Sequence, residues 1–88
     1  MNKETENLID CAIEEVRMEL LAAYENFHDF RSAHEGVGIV EEEFLELREA
    51  AYWPHKDDTS DEETEARQLA AMAVRYMIDI CFKSNAPR

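Results

Sequence analysis

Glycine and proline are scarce, with two of each in 88 residues. Runs of β-branched residues are absent as well. A strand-rich domain needs both turn residues and β-branched alternation, so this composition excludes an all-β fold. Two cysteines are too few for a disulfide framework. Cys11 and Cys81 sit in helix-like stretches as ordinary small apolar residues, which suits a reduced cytosolic protein. No stretch approaches the roughly 20 apolar residues of a membrane span. The opening MNKETENLID lacks the apolar run of a secretory signal. The expected location is the cytoplasm, with no membrane partner. Basic residues are also few. Nine Lys and Arg stand against 21 Asp and Glu, for a formal net charge of -12. Direct nucleic-acid binding through phosphates needs a basic face and is not expected. The charge favours cations or basic surfaces as partners. A phosphate-bearing ligand binds such a chain only where metal ions or a few local Arg and Lys neutralise it.

Hydrophobic residues make up 45% of the chain, and their spacing is helical throughout. Leu8, Ile9, Ala12, Ile13, Val16, Leu20, Ala23, Tyr24 and Phe27 form one stripe, continued by Phe30. This predicts a helix from about Lys3 to about Phe30. Ser32 followed by Glu35 is a capping-box pattern and starts a second helix. Its apolar stripe is Val37, Val40, Phe44, Leu47 and Ala51, and Pro54 ends it. Gly36 and Gly38 fall in its first two turns, each costing roughly 1 kcal/mol against Ala. Close packing explains them, and so does a frayed or bent first turn. Residues 53–61, WPHKDDTSD, read as a polar loop, with Trp53 expected to close a core edge or to stack on a base. Ser60 with Glu63, or Thr59 with Glu62, caps a third helix. Its broad apolar face is Ala66, Leu69, Ala70, Ala73, Val74, Met77, Ile80 and Cys81. The last five residues, SNAPR, read as a frayed tail. The expected fold is all-α: one domain over residues 1–88, an antiparallel bundle of three main helices. Such a bundle is thin, and oligomerisation is the simplest way to complete its core.

The densest chemical cluster is Glu41, Glu42, Glu43 and Glu46. On a helical wheel aligned to the second stripe, Glu43 falls about 80° from the core direction and Glu46 about 140°. Glu42 points nearly straight away from the core. Glu43 and Glu46 thus share a flank one turn apart. Carboxylates at i and i+3 lie roughly 5–6 Å apart and can hold one hard cation jointly. Taken alone, a run of three Glu is more often a solvated acidic face. The third helix offers a matching flank in Glu65, Gln68, Met72, Tyr76 and Asp79. Asp79 lies about 16 Å beyond Gln68 along the axis, too far to share an ion with Glu65. Arg75, near the outer edge of this flank, is a candidate for contact with a phosphate or a plain surface residue. HExxH, Gly-rich phosphate loops and zinc spacings are absent. The three histidines, His28, His34 and His55, are scattered. A surface or capping role is expected of His34.

These motifs resemble a known family. EEFLEL within VEEEFLELREA matches the EExxEL motif of the all-α nucleotide pyrophosphohydrolases. That superfamily pairs this helix with a later one bearing ExxD, where this chain has EARQ, Glu65 to Gln68. FRSAHEGVGIVEEEFLEL and EARQLAAMAVRYMID together look like the short MazG-like proteins of phages and bacteria, over roughly Phe30 to Asp79. The resemblance implies hydrolysis of a nucleoside triphosphate to monophosphate and pyrophosphate, with Mg²⁺ (Mn²⁺ as an alternative) held by carboxylates of both helices. Carried over by position, Glu43, Glu46 and Glu65 match metal ligands. Gln68 stands where the pattern has Asp and brings an amide oxygen without charge. Glu42 matches the first Glu of the motif and is the candidate base, while Arg75 and Asp79 are candidates for substrate binding. The resemblance also implies a homodimer or tetramer. Two other readings compete: a catalytically silent acidic bundle of the same descent, and an acidic protein that occupies a nucleic-acid-binding surface. A metal site requires its carboxylates to converge on one pocket, whereas a nucleic-acid mimic spreads them over an exposed surface.

Overall fold

The computed structural model describes residues 1–53 and 60–83. Among these residues all regular structure is helical: α1 (Lys3–Asn26), α2 (Ala33–Tyr52) and α3 (Ser60–Tyr76), the last running into a π-helical turn, Met77–Phe82. The loop residues 54–59, with Pro54, His55 and the alternative cap Thr59, lie outside the described residues. So do the Ser60 side chain and the tail 84–88. No described helix is long and apolar enough to cross a membrane. Cys11 and Cys81 are free and exposed.

The helix starts follow local chemistry. Asn2 caps α1, its side-chain oxygen accepting from the Thr5 N–H at 2.8 Å. Ser32 caps α2 in the same way through the Glu35 N–H. Glu35 reaches back to accept from the Arg31 N–H at 2.8 Å, one residue earlier than in the standard capping box. The end of α1 departs from expectation. The helix stops at Asn26, and Phe27 is already extended. The apolar stripe continued to Phe30, but two side chains of α3 claim this backbone. Arg75 donates to the His28 carbonyl at 2.7 Å, and Asp79 accepts from the Phe30 N–H at 2.8 Å. Phe30 still reaches the core, 5% exposed, by an extended link rather than by another helical turn.

α3 is the central element and packs against both α1 and α2. The start of α2 lies against the end of α3. A Cβ built on Gly36 would fall 2.7 Å from the Tyr76 ring, so glycine here is a packing requirement. Nothing stands within 4 Å of the same position at Gly38, which has no such reason. The core gathers Ala23, Phe30, Ala71, Met72 and Ile80, with Val16, Leu20, Ile39 and Val40 packed against it.

The inward faces of α2 and α3 share only part of the apolar stripes: Val40, Leu47, Leu69, Val74 and Ile80 turn inward as expected, and other members do not. On α2, Val37 and Phe44 are about half exposed and Ala51 is exposed. The face turned to α3 is instead Gly36, Ile39, Val40, Glu43, Leu47 and Ala50. On α3 and the turn that follows, Ala66, Ala73, Met77 and Cys81 are exposed, while Ala71, Met72, Arg75, Asp79 and Ile80 are buried. Both helices are rotated so that the mixed flank faces inward. Small residues fit this packing: Gly36 leaves room for the Tyr76 and Phe30 rings, and Ala71 is fully buried. The first half of α1 is exposed as well, Leu8 and Ile13 by about 60%. Trp53 does not close a core edge among the described residues; it is 68% exposed, with the Tyr52 ring edge-on to it.

Candidate metal centre

The rotation of α2 carries Glu43 toward α3, and the turn below it supplies Glu46. Glu65, in the first half of α3, faces them. One carboxylate oxygen from each of the three lies within 4.8 Å of the others. Glu46 is exposed, and Glu43 and Glu65 are half-buried. The two i, i+3 positions of α2 and the start of the ExxQ stretch of α3 are therefore brought together. Gln68, one turn further along α3, is half-buried and lines the same cleft as Glu43. Glu42 is exposed, as its wheel position indicates, and lines the cleft wall.

The electrostatics of the trio are those of uncompensated charge. Burial, and then the charges of Glu46, Glu65, Glu42 and Glu19, push the Glu43 carboxyl up to about 7. The Glu65 carboxyl is raised too, by burial first and then by a proton shared with Glu46 and by the charge of Glu46. Among the described residues, Oε2 of Glu43 and Oε2 of Glu65 are shielded from water and have no hydrogen-bond donor. A buried acceptor without a partner costs about 1–3 kcal/mol, more when charged. A shared proton or a cation answers carboxylates at this spacing, and oxygen-only donors of this kind suit hard divalent ions such as Mg²⁺ or Mn²⁺. The residues present thus fit such an ion.

Of the trio only Glu43 lines a cleft of about 490 Å³ between the helices, together with Glu19, Glu35, Glu42 and Gln68. Its floor is Ala23, Phe30, Ile39 and Met72, and its far end carries Asn26, Phe27, His28 and Arg75. Phe27 is 65% exposed. The Asn26 amide is oriented by donating to the Ala22 carbonyl at 2.8 Å. Arg75 is not at an outer edge: it is 4% exposed, with its guanidinium stacked 4.2 Å from the Phe30 ring centroid and 5.4 Å from that of Tyr24. Asp79, 3% exposed, accepts from Tyr24 Oη at 2.6 Å and from the Phe30 N–H, with Lys83 Nζ 3.5 Å away. Burial and this hydrogen bond push the Tyr24 phenol up. Asp79 is therefore engaged in holding α1 and the following link. Its carboxylate is not among those of the trio.

Sequence reasoning did not find the cleft. Tyr24 and Phe27 read as members of an apolar stripe, and no spacing in the chain signals that the link after α1 folds across α3. Comparison with protein-family models, with curated proteins and with solved structures finds no match.

Proposed function

We propose that this protein is a Mg²⁺-dependent nucleoside triphosphate pyrophosphohydrolase, cleaving its substrate to a monophosphate and pyrophosphate with Glu clusters on two helices. The supporting observation is the convergence of Glu43, Glu46 and Glu65 from separate helices on one point beside a cleft, with two shielded oxygens lacking a donor. A spread of surface carboxylates, as in a nucleic-acid mimic, does not require such convergence. Glu43, Glu46 and Glu65 would hold the ion, and the neutral amide oxygen of Gln68 would assist. When bound, a divalent ion neutralises phosphate charge and lowers the pKa of an attacking water. Glu42, on the cleft wall and outside the trio, would serve as the general base. Arg75 belongs to the substrate side of the cleft, and Asp79 contributes by fixing Tyr24 and Phe30 around it.

Two structural elements belong to the same reading. The contacts of Gly36 with Tyr76 and of Glu46 with Glu65 suit an antiparallel arrangement of α2 and α3 in a bundle. The exposed Leu8, Ile13, Phe44 and Leu45 suit burial against a second copy, giving a homodimer or tetramer. Light scattering is expected to exceed the 10.3 kDa of one chain. The deciding experiment measures pyrophosphate release from canonical and modified nucleoside triphosphates with Mg²⁺. Release by the wild type, abolished by Glu46→Gln or Glu65→Gln at unchanged helical content, is the expected result. No release from any nucleotide would leave the silent acidic bundle in its place.

A further inference from the structure

The far end of the cleft holds a cation with an incomplete set of partners. Arg75 donates through Nη2 to the His28 carbonyl, and Nη1 sits 3.4 Å from Met72 Sδ. Its Nε is shielded from water and has no acceptor among the described residues. No carboxylate of the described residues comes within 4.0 Å of the guanidinium. A guanidinium nine-tenths buried and short of one acceptor is costly, and the Arg75 side chain lines the cleft. The donor is also fixed in place, since Phe30, Tyr24, Met72 and the His28 carbonyl hold it on several sides.

Distance separates this group from the metal centre. Gln68 and Arg75 are about 10 Å apart along the helix axis at 1.5 Å per residue. Glu65 stands ten residues before Arg75, about 15 Å along the axis, so a phosphate held directly by Glu43 and Glu65 does not meet the guanidinium even though that group reaches back to Met72. A nucleotide lying along the cleft floor with its phosphates at the trio sends its base toward Phe27 and Arg75. The leading edge of that base carries the exocyclic group of the pairing edge, the position farthest from the sugar. A carbonyl oxygen there accepts from Arg75. An amino group there meets a donor with a donor and leaves both unpaired.

We propose that Arg75 is the specificity-determining donor of this cleft, selecting bases with an oxo group at the far edge (uracil or guanine type) over those with an amino group (cytosine or adenine type). This rests on the reading of the site as a nucleotide centre. The test is calorimetric titration of the full chain in Mg²⁺ with non-hydrolysable analogues of UTP, CTP, GTP and ATP, and with inorganic tripolyphosphate. The UTP analogue is expected to bind roughly tenfold or more tighter than the CTP analogue, and the GTP analogue tighter than the ATP analogue, as one buried hydrogen bond commands. Arg75→Lys should lose that preference while keeping tripolyphosphate affinity. Because Arg75 also supports the fold, the wild-type Nε–H resonance gives a second readout: it should shift with the UTP analogue and not with tripolyphosphate. Equal affinity for oxo and amino analogues alongside tight tripolyphosphate binding would overturn the role of Arg75 and leave the metal centre standing. Binding of neither tripolyphosphate nor any analogue would overturn both.

Discussion

The two ends of α3 hold polar clusters of opposite character. At the end of the helix, Asp79 is buried and answered: a phenol, a backbone N–H and an ammonium converge on one carboxylate. In its first half, Glu65 meets two more carboxylates, and two of the oxygens have no donor among the described residues. Both clusters lie between helices and both use residues of the same mixed flank. One is complete without any ligand and fixes architecture; the other gathers like charge that no side chain of the described residues answers. A carboxylate on an inward face is thus not by itself a sign of function. What distinguishes the two is whether the fold supplies the counter-charge.

That contrast can be broken first at its satisfied end. Asp79→Ala would strand the Phe30 N–H and the Tyr24 hydroxyl and leave Lys83 without a buried counter-charge. Removing one partner of a buried charged network costs about 3–5 kcal/mol. Urea denaturation should show a loss of that size, with the α1–α2 link losing hydrogen-exchange protection. A loss near zero would mean that Asp79 does not organise this end.

At the unsatisfied end the expected effect is a gain. Binding of an ion to the native state alone raises stability by RT ln(1 + [L]/Kd), about 2.7 kcal/mol at one hundred times Kd. Millimolar Mg²⁺ or Mn²⁺ should therefore raise Tm more than NaCl of equal ionic strength. Equal shifts would mean simple screening of a net charge of -12. Gln68→Asp should enlarge the Mg²⁺ shift by adding a charged donor.

The packing behind the satisfied end gives a smaller, paired test. Gly36→Ala puts a Cβ into the Tyr76 ring and should destabilise by about 1–3 kcal/mol, the range for overpacking. Gly38→Ala meets open space and should stabilise by up to about 1 kcal/mol through helix propensity. Thermal melts in which the two substitutions behave alike would contradict the close approach at Gly36.

The smallest effect is in pH. The Glu43 carboxyl, raised from 4.5 to about 7, keeps its proton in the folded protein where the unfolded chain has lost it. Its contribution to stability is therefore full below about pH 4.5 and is lost as pH rises to about 7. With partial exposure screening it, the loss is of order 1 kcal/mol. Glu43→Gln should flatten this slope, and the Mg²⁺ shift should grow over the same window because the ion needs the deprotonated form. A wild-type stability that rises between these pH values would contradict the clustering of charge.

The amino-acid sequence by itself determined the all-helical class, the starts of α1 and α2, and the i, i+3 spacing of Glu43 with Glu46. These follow from local chemistry: side-chain caps, low Gly and Pro content, and the 3.6-residue period act within a turn or two of the chain. Only the tertiary structure decided which face of each helix points inward. A helical wheel ranks faces by apolarity, and it places Phe44 inside and Arg75 at an edge. Packing ranks them by which side chains fit together across the interface. Gly36 makes room for the Tyr76 and Phe30 rings, and the flank bearing Glu43, Met72 and Arg75 lies between the helices while Phe44 is left half exposed. The early end of α1 has the same origin, since the backbone of residues 28–30 bonds to side chains more than forty positions away, and no local pattern records a partner at that distance.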